Sequence, residues 1–305
     1  MNIALITNKD LHHKYWAYTL YTKHNVKLVI HPQEKLDKNI TKIIKKKRLL
    51  MYGFFWFFLK GLSIIYNKFS SIGLNKIIEK NEKKYFQKYG ELYDKIPQNI
   101  VHNVETVNSD ICLKLIKDNH IDVICFLGGD IAKSKIINSV KLCLNYHSGI
   151  SPFYNGNKTI MRAVGDFRPN FAGGTLMKMN ERIDGGKILK HYLMPILKED
   201  TYGDLFMKGI IGAEKVYDLV LNKLIQGEVL KGIKQQRTFK YVRNVDWIIT
   251  DDIKLRYFIK NNRMKSYVRE EKILDYTEET DLDKIFVNTL SEILVFSNDK
   301  SNNKN

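Results

Sequence analysis

Short apolar runs alternate along this chain with stretches whose apolar residues recur every three to four positions. Ile3–Thr7 (IALIT) is a continuous apolar run closed by polar Asn8, Lys9 and Asp10; "HHKYWAYTLYTKH" follows with helical spacing, and then the β-branched run Val26–Ile30 (VKLVI). The same alternation returns further on. "ICLKLIKDNH" predicts a helix, "IDVICFL" a fully buried strand ending at Gly128 and Gly129, "AKSKIINSV" a helix and "KLCLNYH" a strand. Strands alternating with helices predict an α/β fold with a doubly wound, mostly parallel sheet. Ligands of such sheets bind beyond the carboxyl ends of the strands, where the loops after Leu127 and Asn145 are expected to lie.

Between the two blocks, at about residues 34–100, the pattern changes. A basic run (KIIKKKR), an apolar and aromatic run (LLMYGFFWFFLKGLSIIY) and a charged helical stretch follow one another, which predicts a helical insertion. The apolar part, Leu49–Tyr66, approaches the roughly 20 residues that cross a bilayer, but Gly53, Lys60, Gly61 and Ser63 interrupt it. Three readings follow: a helix packed over the sheet or against the partner of a homodimer, a helix lying in a membrane interface through residues 45–66, or a span. The packed helix is the expectation, with peripheral membrane contact behind it. After about Leu205 come a long helix, a mixed extension to about residue 296, and a polar end at 297–305 that reads as disordered. The boundaries are therefore 1–205, with the insertion at about 34–100, then 206–296 and 297–305.

Composition narrows this only a little. The 305 residues are 44% hydrophobic, enough for a proper core. Cys112, Cys125 and Cys143 are odd in number and lack the spacing of a zinc site or the density of a disulfide framework, so a reducing, cytoplasmic setting is expected. The start, "MNIALITNKDLHH", lacks the pattern of a signal peptide. A net charge of +17 permits an anionic substrate, nucleic acid or anionic lipid without requiring any of them, because a lysine-rich composition yields the same figure.

Candidate chemistry centres on "LNYHSGISPFYNG", residues 144–156. On a strand, Asn145 and His147 project to the same side, so an amide and an imidazole converge on one point. Such a pair suits the stabilisation of a developing oxyanion; alone, it is more often a satisfied polar pair at a strand end. Downstream, "AGGTLMKMNERIDGGKILKHYLMPI" supplies a strand at Gly174–Met179, a turn carrying Asp184, Gly185 and Gly186, and a strand at Lys187–Leu193.

Read together, these segments resemble the formyltransferase family that uses N10-formyltetrahydrofolate. The pattern is Asn-x-His and a Ser-, Pro- and Gly-containing loop, then Gly-x-Thr at Gly173–Thr175, Asp184-Gly185-Gly186 37 residues after His147, and Pro195-Ile196. It covers about residues 108–205 well and the first strand, helix and strand loosely. The resemblance implies a Rossmann-like formyltransferase domain and an enzyme that transfers a one-carbon group. Asn145 and His147 would hold the oxyanion, and Asp184 would orient or charge-pair with His147. It also implies N10-formyltetrahydrofolate as co-substrate without a metal, bound along Phe126, Leu127, Gly128, Gly129 and Ile131, with Gly174 and Gly185 nearby. His12 and His13 are read as helix-start polar residues rather than ligands. The acceptor would be met by Tyr154, Asn155 and Lys158. Asn155 stands where many members have arginine, and Met177 where many have histidine, which puts the acceptor in question. Members act on several amines. The region after Gly227 shows a helical pattern rather than the strands of the β-barrel that the tRNA enzymes carry. A nucleotide-linked amino sugar of surface polysaccharide (lipopolysaccharide) synthesis is therefore the leading acceptor. Methionyl-tRNA is the alternative, with nucleic acid otherwise not expected as a partner, and a non-catalytic membrane-associated scaffold is a third reading. The expected location is the cytoplasm, at the inner face of the membrane if the insertion touches lipid.

Overall fold

The computed structural model describes residues 1–33, 38–71, 73–180, 185–235, 238–276 and 290, with residues 38–45 described by backbone alone. The chain runs β1 (Ile3–Thr7), α1 (Leu11–Lys23), β2 (Val26–Pro32), α2 (Lys38–Phe69), α3 (Leu74–Phe86), α4 (Tyr89–Tyr93), β3 (Val101–Val104), α5 (Asp110–Asp118), β4 (Val123–Leu127), α6 (Ser134–Ile137) and β5 (Leu142–His147). It continues through β6 (Asn155–Gly156), α7 (Thr159–Gly165), β7 (Gly173–Lys178), β8 (Lys187–Leu193), α8 (Tyr202–Ile225), β9 (Tyr241–Val242), α9 (Ile249–Lys260) and β10 (Lys272–Asp275). Eight strands form one sheet in the order β10-β8-β7-β5-β4-β1-β2-β3. The pairs from β3 to β5 are parallel and those from β5 to β10 antiparallel.

Alternation along β1 explains the two layers. Ile3 and Leu5 face the helices α1, α3 and α8 in one core, whereas Ala4 and Ile6 join α5 in the other. All of β1 is buried, as a strand covered on both sides must be. β1 is also where the strand order reverses, since β2 lies on one side of it and β4 on the other. The crevice above the carboxyl ends of β1, β4 and β5 is therefore the place where this topology leaves room for a ligand.

Residues beyond 205 continue the same body. α8 packs into the core under the sheet, with a capping box at Thr201 and Asp204 fixing its start. β10 adds an edge strand to β8, and α9 packs against α2 and α7. The expected end at 297–305 lies outside the described residues.

The insertion is the helical crossover from β2 to β3; it packs on α9, but its apolar face does not cover the sheet as one of the expected arrangements had it. α2 breaks at Gly53, whose φ of 77° and ψ of 169° are not helical, and most of its apolar side chains are exposed. Its length and composition are those of a helix able to cross a membrane, yet only 6% of its apolar window is buried. The pattern of apolar positions was read correctly; the side it faces was not, because the residues α2 packs against lie nearly 190 positions away.

Candidate functional site

The loop after β5 is held by side chains from the strands beside it. His147 pairs across to Thr175 on β7. The Thr175 hydroxyl donates to the Gly149 carbonyl at 2.6 Å and accepts from the Ser151 N–H at 2.9 Å. This one side chain explains why threonine ends the Gly-x-Thr sequence. On the neighbouring strand, His191 Nε2 donates to the Ser151 carbonyl at 2.7 Å, and the Tyr276 hydroxyl bonds to Nδ1 at 2.6 Å. So pinned, the loop folds back over His147, and the Nε2–H donates to the Tyr154 carbonyl at 3.0 Å. A carbonyl only accepts, so Nε2 carries a proton and the lone pair of the neutral ring sits on Nδ1. The approach leaves room only for glycine at position 149, where a Cβ would lie 2.6 Å from His147 Nε2 and 2.5 Å from the Tyr154 carbonyl oxygen.

Burial pushes the His191 imidazole down to about 4. Its folded-state value lies below the ordinary one near 6.5, so on acidification the unfolded chain takes up the proton first. His191 therefore contributes stability above about pH 6.5 that is lost as pH falls toward 4. At pH 5 the loss amounts to about 2 kcal/mol. His13, held neutral by burial and by neighbouring His12 and His31, acts in the same direction. Chemical denaturation at pH 7 and pH 5 should show this fall, and His191→Gln should flatten the slope; an unchanged slope would remove the assignment.

A cavity of about 420 Å³ opens where the topology placed it, large enough for a cofactor-sized ligand. Asn145 and His147 both line it, together with Phe126 and Leu127 at the end of β4 and Gly128, Gly129 and Ile131 from the loop that follows. Gly128 and Gly129 have φ of 77° and 87°, a region that favours glycine. A Cβ on Gly128 would stand 2.8 Å from His13 Cε1. The remaining wall comes from the start of α7, including Lys158, from Met177, Met179 and Asn180, and from Phe206, Ile210 and Tyr241.

Four expected contacts lie elsewhere. Gly174 does not line the cavity; it faces Tyr146, and a Cβ there would fall 1.8 Å from the hydroxyl. Gly185 lines a neighbouring cavity of about 340 Å³ that shares Met179 and Asn180 with the first, while Gly186 reaches the main one. The Tyr154 hydroxyl donates to Asp166 at 3.0 Å, away from the cavity, and burial and that carboxylate raise its pKa. Asn155 is buried, pairs with β9 and donates from Nδ2 to Thr238 Oγ1 at 3.0 Å. It positions the strand that carries Tyr241 to the rim. Asp184 lies outside the described residues.

Lys158 stays at the site. Its φ of 54° sets it at the start of α7, and its ammonium sits 5.0 Å from the centre of the Trp247 ring. Burial, then the nearby charges of Lys60 and Arg162, lower its pKa, so it is a partly desolvated cation on the cavity wall. His12 and His13, expected only as helix-start polar residues, are also part of the cavity. They lie at the carboxyl end of β1 and line the cavity, with His12 Nδ1 2.6 Å from Glu82 and His13 Nδ1 2.7 Å from the Thr7 hydroxyl. That hydroxyl donates onward to the Leu127 carbonyl at 2.8 Å, so His13 Nδ1 carries its proton and Nε2 holds the lone pair. Together with Asp10 they bring ligand atoms within 4.8 Å of one another.

The family model described as Formyl transferase matches residues 63–221. Methionyl-tRNA formyltransferase of Enterococcus faecalis is 30% identical over 128 residues, 39% of this chain and 40% of that protein. The Streptococcus pneumoniae protein of the same name is 26% identical over 171 residues, 55% of this chain and 52% of the relative. The matched stretch thus spans about half or less of these curated relatives. In fold, the chain is similar to a sugar N-formyltransferase from Shewanella sp. FDAARGOS_354, with a TM-score of 0.50 at 15% identity over 92% of this chain and 99% of that one. A Mycobacterium tuberculosis structure gives a TM-score of 0.51 at 13% identity over the same shares.

Proposed function

The chain belongs to the formyl transferase family, and from that premise we propose that it transfers the formyl group of N10-formyltetrahydrofolate to a primary amine of a nucleotide-linked amino sugar. The observation that carries the reading is the meeting of Asn145 and His147 with the Phe126–Ile131 loop in one cavity. The amine nitrogen attacks the formyl carbon, a C–N bond forms and the carbonyl oxygen takes the negative charge. Asn145 donates to that oxygen as a fixed neutral dipole. His147 has its lone pair on Nδ1 when neutral, so it donates from there only as the imidazolium, which adds a positive charge beside the oxyanion. Collapse breaks the bond to N10, which leaves with a proton as tetrahydrofolate. The proton lost by the amine passes to a base, a role the family resemblance gives to Asp184, and from that base to N10 as it departs. Phe126 and Ile131, with the open backbone at Gly128 and Gly129, supply the surface for the flat ring of the donor. No step calls on a metal.

Lys158 supports a phosphate-bearing acceptor, because a cation supported on an aromatic face and partly stripped of water binds a diphosphate strongly. Among the described residues after Gly227, the strands are β9 and β10, each paired to the catalytic body, rather than a separate RNA-gripping barrel. Lys158→Met is expected to raise KM for the sugar nucleotide about tenfold, leaving KM for the formyl donor within about twofold. Steady-state kinetics with a nucleotide-linked 4-amino sugar, run beside methionyl-tRNA, tests both points. Product from the tRNA alone would replace this acceptor with the second reading, which the overall charge of +17 also suits.

A further inference from the structure

α2 is turned inside out. Its polar residues face the protein: the Lys60 ammonium donates to the carbonyls of Asn244 and Trp247 at 3.0 and 2.6 Å, the Ser63 hydroxyl to Asp252, and Asn67 Nδ2 to Asp252 at 2.9 Å. Its apolar residues face outward: Leu50 and Phe54 are each 80% exposed, Phe55 71%, Phe58 53%, Ile65 56% and Phe69 73%. Phe54, Phe58, Leu62, Ile65 and Phe69 recur at intervals of four and three, one continuous stripe. A helix in contact with water alone would carry the opposite arrangement, and so large an apolar patch marks an interaction surface. Immediately before the stripe, Lys46, Lys47 and Arg48 are exposed within the run KIIKKKR.

We propose that α2 docks the protein on an anionic membrane surface. Cations at one end of an aromatic stripe fit a bilayer whose headgroups are negative and whose acyl region begins a few ångströms below them. A second copy of this chain would bring Lys46, Lys47 and Arg48 against their own kind if the faces met head on, which opposes self-association through the same surface. A transmembrane orientation would require the Lys60, Ser63 and Asn67 face to leave α9, breaking bonds that hold the helix to the protein body. The helix lies in the interface instead, with the catalytic body in the aqueous phase. This surface is separate from the cavity, so the inference stands or falls independently of the formyl transfer reading.

Flotation of the full chain with vesicles tests it. Binding is expected with phosphatidylglycerol-containing vesicles and little with pure phosphatidylcholine. Lys46→Glu/Lys47→Glu/Arg48→Glu should lower partitioning by about fivefold or more for each charge reversed. Phe54→Ser/Phe58→Ser, at exposed positions, should lower it at least tenfold while leaving the unfolding transition and turnover in solution unchanged. Equal binding to neutral and anionic vesicles, absence of vesicle binding with a dimer in sedimentation that the phenylalanine variant dissolves, or membrane retention through an alkaline wash would each overturn it.

Discussion

His147→Ala is expected to lower kcat for formyl transfer about 10³-fold while the protein stays folded. Removing one preorganised donor to an oxyanion typically costs 10²–10³ in rate, and losing the positive charge of the imidazolium adds to this. The imidazole is buried and bound through Nε2 to the Tyr154 carbonyl, so its removal also leaves that carbonyl unpaired. The structural penalty is expected to be about 1–2 kcal/mol, small enough for the variant to remain native at 25 °C. Asn145→Ala should lose about 10² in kcat. The double variant should lose much less than the product of the two, because both side chains act on one oxygen. Turnover in His147→Ala close to that of the unaltered protein would show that this histidine only closes the loop above β5.

Gly174→Ala is expected to act through stability rather than through binding of the formyl donor. The added methyl would lie 1.8 Å from the Tyr146 hydroxyl and 2.1 Å from its ring carbon, and Tyr146 is itself buried on β5 between Asn145 and His147. Overpacking against a ring that cannot withdraw destabilises by about 3 kcal/mol, which would shift Tm down by several degrees in a protein of this size. KM for the donor should stay near its original value in the fraction that remains folded. Adding Tyr146→Ala should make the two losses less than additive, since the second change removes the atoms with which the first collides. A variant of normal Tm with a raised donor KM would instead return Gly174 to the binding surface.

How far the sequence led depends on which interactions set each feature. Strands β1 and β4 were legible because a continuous apolar run has one stable home, between two layers of helices. The pairing of Asn145 with His147 was legible because the period of a strand is two, whatever surrounds it. Tyr154 and Asn155 were not, since a loop has no period. Their directions are set by Asp166 and by Thr238, the latter 83 positions away in the chain. His13 was read only as a helix-start polar residue for a related reason: it reaches the cavity because it follows β1, the strand at which the sheet changes direction. The helix α2 is the sharpest case. Its stripe of aromatic residues was plain in the sequence, but the side it presents is decided by Asp252 on α9, which binds Ser63 and Asn67.

The central claim is that the cavity above β4 and β5 moves a formyl group onto an amine. Incubating the full chain with N10-formyltetrahydrofolate labelled at the formyl carbon and a nucleotide-linked amino sugar tests it most directly. The label should appear as a formamide on the sugar nitrogen, in amounts equal to the tetrahydrofolate released, and Asn145→Ala/His147→Ala should abolish both. Release of tetrahydrofolate with the label recovered as formate, or equal transfer by that double variant, would contradict the account.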